Sequence, residues 1–151
     1  MTIHNNRKLC GNSVARILIA IVVLALYAHG EAAQSFRYKD YRKEKAEANK
    51  LLGGAMQLNF KVTQMLINGS GNVQEMSNLL SRSYGLQQRV VTPIEGIPDP
   101  GLIYVIKLIN EIGKPDTENA GGAIRSGNMD QALELLEKVR KAHQQMLVVL
   151  R

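Results

Sequence analysis

The residue of this chain best suited to chemistry is a histidine near the C-terminal end. His143 lies in EKVRKAHQQMLVVLR, residues 137–151. The other two histidines, His4 and His29, lie in an N-terminal segment that has the features of a leader. An imidazole can bind a metal, transfer a proton or hydrogen-bond within a core. Which role fits His143 depends on where helix spacing places it.

Residues taken alternately three and four apart along this segment are apolar except for the histidine. They are Met129, Ala132, Leu136, Val139, His143, Met146 and Leu150. Such spacing is typical of the inward face of a packed helix, so His143 is predicted to lie inside the protein. Its ring nitrogens then need partners, because burying an unpartnered polar atom is destabilising.

Three interpretations of a buried His143 stay open on spacing alone. It is a hydrogen-bonded core histidine, a ligand of a metal ion, or an axial ligand of haem. A metal ion usually requires several converging histidines, cysteines or carboxylates, and beyond the leader there is neither a second histidine nor a Glu-x-x-His pair. Haem needs only one histidine and one further ligand, such as methionine.

Met56 is the methionine whose position best matches that of His143. Five methionines lie beyond the leader, and each alone would be expected to fill space in a helical core. If the first helix packs antiparallel to the last, Met56 lies about 16 Å from the end of one and His143 about 22 Å into the other. The two heights agree to within roughly one turn, whereas Met65 would lie too near the connection.

The N-terminal segment predicts export. Residues 1–16 are polar and include three basic side chains, residues 17–28 are uninterrupted apolar sequence, and the small-residue segment HGEAAQ follows. This order is that of a secretory signal peptide, with cleavage expected after Ala32. Twelve apolar residues reach about 18 Å as a helix, against a hydrocarbon core of roughly 30 Å. An uncleaved membrane anchor is the alternative.

The remaining chain, residues 33–151, is predicted to be one small domain with a net charge of +4. It contains no cysteine, since Cys10 belongs to the leader, so a hydrophobic core rather than disulfides must hold it. Basic and acidic residues alternate over residues 37–50, which favours a solvated helix face. Aromatic residues are too few to suggest base stacking, so no nucleic-acid partner is expected.

The pattern predicts an all-α fold, an antiparallel up-down-up-down four-helix bundle over residues 51–151. A charged helical extension, residues 33–50, precedes it and begins the first helix near residue 36. The first helix should end at NGSGN, and Asn72 should cap a second helix that ends near residue 91. The proline-rich segment TPIEGIPDPG then separates these from a third helix that starts near residue 101.

The third helix is predicted to be kinked or interrupted around Pro115, because proline lacks a backbone donor and disfavours helix before it. Asn128 should cap the fourth helix, residues 129–150. The chain carries no Cys-x-x-Cys-His motif, which excludes covalent haem attachment. It also lacks a glycine-rich phosphate loop and a serine–histidine–acid set, so a conventional enzyme is not expected.

A signal peptide, a four-helix domain and a single late histidine resemble the soluble cytochrome b562 family. The likeness covers residues 52–151 and includes TPIEGIPDPG, SGNMDQALELLEKV and RKAHQ. It implies haem b bound non-covalently between the first and fourth helices, with Met56 and His143 on the iron and Arg140 near a propionate. The family has its methionine three residues before a Leu-Asn pair, whereas Met56 stands two before Leu58. The family's arginine precedes its histidine by four residues, whereas Arg140 precedes His143 by three.

The resemblance implies a diffusible electron carrier in the periplasm, monomeric and not an enzyme. Its partner would be a periplasmic redox protein, with no stable membrane insertion once the leader is removed. The alternative is a cofactor-free exported bundle that acts as an interaction module. Its contact surface would be the basic extension, with Phe36, Tyr38 and Tyr41. That alternative tolerates the loss of His143, whereas the carrier does not.

Overall fold

The computed structural model describes residues 41–151, and this part of the chain is all-helical. The helices are α1 (Arg42–Ile67), α2 (Val73–Val91), α3 (Pro100–Leu108), α4 (Lys114–Arg125) and α5 (Met129–Leu150). A π turn, Ile109–Gly113, joins α3 to α4, so these form the predicted third helix and α5 is the fourth. α1 and α4 each pack against both α2 and α5. The predicted all-α helical bundle is confirmed at this level.

The predicted leader, residues 1–32, lies outside the described residues, as do Phe36, Tyr38 and the expected start of the first helix. The described part of the charged extension, residues 41–50, continues directly into α1. Ala48 is fully buried, so the bundle core already begins within the extension. Over residues 41–151 no helix is long and apolar enough to cross a membrane.

The connection between α1 and α2 follows the predicted capping. Gly69 adopts a left-handed conformation (φ 59°), which glycine reaches without steric cost. The Ser70 amide then donates to the Met65 carbonyl at 2.9 Å and closes the end of α1. The Asn72 side chain accepts from the Glu75 amide at 2.7 Å and caps α2. The predicted end of the first helix and start of the second are confirmed.

The interruption predicted around Pro115 is present, but as a π turn rather than a loop. Asp99 caps α3 by accepting from the amides of Gly101 and Leu102. Pro115, in the first turn of α4, has no N–H to donate to a carbonyl one turn earlier. The Lys114 amide donates to the carbonyl of Ile109, five residues back, so the helix continues with one wider turn.

The core consists of two apolar clusters, and α1, α2, α4 and α5 also carry buried polar side chains. The first cluster includes Leu52, Ile94 and Leu102, and the second includes Val62 and Ile124. In α1 and α2 these polar side chains lie in sequence between members of the two clusters, whereas in α5 His143 directly follows Ala142 of the first cluster. We call these residues the middle layer, and they are Asn59, Ser83, Gln87, Thr117 and His143.

Candidate cofactor-binding site

A cavity of about 510 Å³ lies between α1 and α5 and brings together the three residues singled out in the sequence. Its walls include Met56, Asn59 and Phe60 from α1, and Leu136, Arg140 and His143 from α5. Asn59 and Phe60 follow Met56 by three and four residues, and Leu136, Arg140 and His143 are four and three apart, so each set lies on one side of its helix. The volume is within the range of about 300–1,000 Å³ that small-molecule sites occupy.

His143 lies inside the bundle, as its spacing predicts. Its side chain is 1% exposed, and the other residues predicted for the inward face of α5 are buried too, apart from the half-buried Met129. Its Nε2 atom is buried and has no hydrogen-bond partner within residues 41–151. Burial lowers the pKa of His143 to about 4, so the imidazole is neutral at neutral pH. A neutral imidazole carries a nitrogen lone pair, which can bind a metal or accept a proton.

Met56 lies at the boundary between the core and the cavity. The preceding residue, Ala55, is fully buried, and its carbonyl accepts a hydrogen bond from Ser83 Oγ at 3.2 Å. Met56 is rotated from Ala55 by about 100° and is half-buried, packing against the first cluster while lining the cavity. Met65 belongs to the second cluster instead, where it fills space.

Arg140 lies on the cavity wall, but its guanidinium is bound by Glu137. Nε and Nη2 of Arg140 each donate to one carboxylate oxygen of Glu137, both at 2.6 Å. Hydrogen bonding to Arg140 holds the pKa of Glu137 below its ordinary value. Both side chains are about half exposed. An anionic group at this position would therefore have to compete with Glu137 for Arg140.

Asn59 is a cavity residue that the sequence interpretation missed. Its side chain is 6% exposed, and neither its amide nitrogen nor its amide oxygen has a hydrogen-bond partner in the described chain. The signal was available, because Leu52, Ala55, Asn59 and Val62 form an apolar seam with one polar member. The same pattern, an apolar inward face with one polar member, singles out His143 in α5.

The site offers one nitrogen and one sulfur donor rather than a cluster of charged ligands. In residues 41–151 no group of three or more histidine, cysteine, aspartate or glutamate side chains could hold a metal ion. Comparison of the chain with models of known protein families, with curated proteins and with solved structures gave no match. What the cavity binds is therefore inferred from the residues that line it.

Proposed function

We propose that this protein is a b-type haem electron carrier whose haem is held non-covalently in the cavity between α1 and α5. Met56 and His143 would hold the haem iron. The observation that carries the proposal is that His143 and Met56 line one cavity and that the buried Nε2 of His143 has no partner in residues 41–151. A fold that merely needed a core side chain here would be more stable with leucine, because an unsatisfied buried nitrogen costs about 1–3 kcal/mol.

The residues at the site suit the group. The neutral imidazole of His143 and the thioether of Met56 need lose no proton before they bind a metal. Four fully buried residues on either side of the two ligands exclude water from this part of the bundle: Leu52, Ala55, Val139 and Met146. When bound between histidine and methionine, haem supplies one-electron transfer at a raised potential.

Arg140 would hold a haem carboxylate at the cavity edge, in place of part of its contact with Glu137. With its iron held by His143 and Met56, the haem would supply electron transfer rather than turnover of a substrate, so the proposal is a carrier and not an enzyme. It includes removal of the leader, a monomeric antiparallel up-down-up-down bundle and a redox partner protein in the periplasm. It includes neither stable membrane insertion nor nucleic-acid binding.

A haemin titration of the purified protein, expressed from the full sequence, tests the proposal. Absorption spectra before and after dithionite should show sharp α and β bands in the reduced form. His143→Ala should abolish these bands and Met56→Ala should broaden them. Met65→Ala is the matched control, because it removes a methionine of the second cluster and should leave the bands unchanged.

A broad spectrum like that of free haemin, identical in the parent protein and in His143→Ala, would overturn the carrier proposal. The cofactor-free interaction module would then be the better description. Its predicted contact surface includes Tyr41, which is half-buried at the start of α1.

A further inference from the structure

Asn59 presents a second buried polar group to the same cavity. Its amide nitrogen and oxygen are both buried, and both lack hydrogen-bond partners among residues 41–151. Asn59 stands three residues after Met56, so the two lie on one face of α1 about one turn apart. The cavity thus combines apolar walls with two unsatisfied polar groups, one contributed by each helix.

Other polar residues of the cavity wall do not bond to the Asn59 side chain. Thr63 Oγ1 donates to the main-chain carbonyl of Asn59 at 3.0 Å, not to its side chain. The Arg140 guanidinium is bound by Glu137. Gln57 and Gln144 also line the cavity but are exposed to solvent. Within residues 41–151 the amide of Asn59 therefore has no partner.

Keeping an unpartnered amide in a core is unfavourable, and leucine at the same place would avoid the cost. The other residues on the inward face of α1 around Asn59 are apolar, and helix packing alone would favour leucine or alanine at this position. An amide NH₂ group requires an oxygen or nitrogen acceptor. In an iron porphyrin the four ring nitrogens are occupied by iron, so the acceptor must be an oxygen on a peripheral substituent.

We propose that the Asn59 carboxamide is a second anchor of the cavity, donating a hydrogen bond from Nδ2 to a carboxyl or carbonyl oxygen at the porphyrin edge. This inference rests on the proposed haem function. It makes Asn59 a specificity-determining residue that selects porphyrins with oxygen-bearing substituents over purely alkyl ones. His143 would bind iron, and Asn59 would fix the orientation of the ring that carries it.

Binding of iron-free porphyrins to the full chain isolates the contribution of Asn59, because no iron is then present for His143 to bind. Protoporphyrin IX carries carboxyl groups, whereas octaethylporphyrin carries only alkyl groups, and fluorescence titration gives an affinity for each. Asn59→Leu should weaken the binding of protoporphyrin IX about tenfold and leave the affinity for octaethylporphyrin unchanged. The methyl ester of protoporphyrin keeps the carbonyl oxygens, so Asn59→Leu should weaken its binding as much as that of the acid. The matched control is Thr117→Val, another buried polar-to-apolar change, which should leave the preference between porphyrins unaltered.

Thermal unfolding of the ligand-free protein supplies a second readout. Asn59→Leu should raise Tm by about 3 °C, since it removes an unsatisfied amide, whereas Thr117→Val should lower Tm. A lower Tm for Asn59→Leu, with both porphyrins weakened equally, would make Asn59 a structural residue and overturn the inference. Normal haem bands with an unchanged porphyrin preference would overturn the role of Asn59 alone. Failure of the parent protein to bind either haemin or protoporphyrin IX would overturn the proposed function and this inference together.

Discussion

The two sides of the middle layer bury similar polar groups but treat them differently. On the side of α2 and α4, Gln87 Nε2 donates to Thr117 Oγ1 at 2.9 Å and to Ser83 Oγ at 3.4 Å. Both hydroxyls donate onward to main-chain carbonyls, Thr117 to Gly113 and Ser83 to Ala55. On the side of α1 and α5, the Asn59 amide and His143 Nε2 find no partner in residues 41–151.

This difference separates structural polar groups from candidate functional ones. A buried hydrogen-bonded group contributes modestly to stability and fixes how helices pack, whereas an unsatisfied one lowers stability. Gln87 Oε1 also lacks a partner in the described chain, but it lies directly against Gly113 and lines none of the described cavities. Asn59 and His143 instead line a cavity large enough for a cofactor. Lack of a partner points to a ligand only where there is space for one.

Acid should destabilise the protein through His143, on the α1–α5 side of the middle layer. The pKa of His143 is lowered to about 4 in the folded protein, whereas an unfolded histidine titrates near 6.5. As pH falls from 7 to 4 the unfolded state therefore takes up a proton that the folded state does not. We expect the free energy of unfolding to fall by about 3 kcal/mol through this group.

Urea denaturation of the ligand-free protein from pH 7 to pH 4 measures this loss, and His143→Leu should remove it. Titration of the carboxylates is common to both proteins and cancels in the comparison. Parallel pH profiles for the parent protein and His143→Leu would mean that the histidine has a partner or is reached by water.

Removing one hydroxyl should break the hydrogen-bonded cluster between α2 and α4. Thr117→Val keeps the volume of the side chain but leaves Gln87 Nε2 with only its longer bond to Ser83. We expect a loss of about 2 kcal/mol in the free energy of unfolding, measured by urea denaturation. Thr63→Val is the matched control, because that half-buried hydroxyl bonds only a carbonyl of its own helix. Equal effects of the two changes would show that the α2–α4 cluster contributes nothing beyond a single local bond.

The smallest effect on stability should come from the ion pair at the cavity wall. Glu137 and Arg140 are about half exposed, so Glu137→Gln should leave the free energy of unfolding almost unchanged. The same change frees Arg140, and haemin affinity should then rise a few-fold at low salt and fall as salt is added. Haemin dimethyl ester, which lacks the carboxylates, should show no such gain. An equal gain for both compounds would place Arg140 away from any carboxylate.

The sequence predicts the helix ends well because their signals are local. Asn72, Asn128 and Gly69 act within a few residues, and the structure has caps and turns at all three. The burial of His143 is equally predictable, since it needs only the period of one helix. Asn59 obeys the same rule, and recognising it required applying the seam argument to α1 as well as to α5.

The rest depends on how separate helices meet, which no local pattern specifies. Pro115 indicates an interruption, but it does not indicate that the interruption is a π turn whose Gly113 packs directly against Gln87. Met56 reaches the cavity because α1 is rotated so that Ala55 faces the core and Met56 faces α5. That rotation is set by contacts among three helices, including the bond from Ser83 to the Ala55 carbonyl.

The π turn has a consequence for the length of the chain. A turn closed between residues five apart contains one residue more than an ordinary α-helical turn, so the third helix carries one extra residue within Ile109–Gly113. Because the wider turn absorbs this residue, deleting the exposed Asn110 would restore a regular helix in which α3 and α4 keep their relative orientation. Leu102 and Val105 would stay on the same buried face as Ile124. A bundle of this kind with an uninterrupted third helix would be one residue shorter, and aligning it with this chain would require a gap at this point.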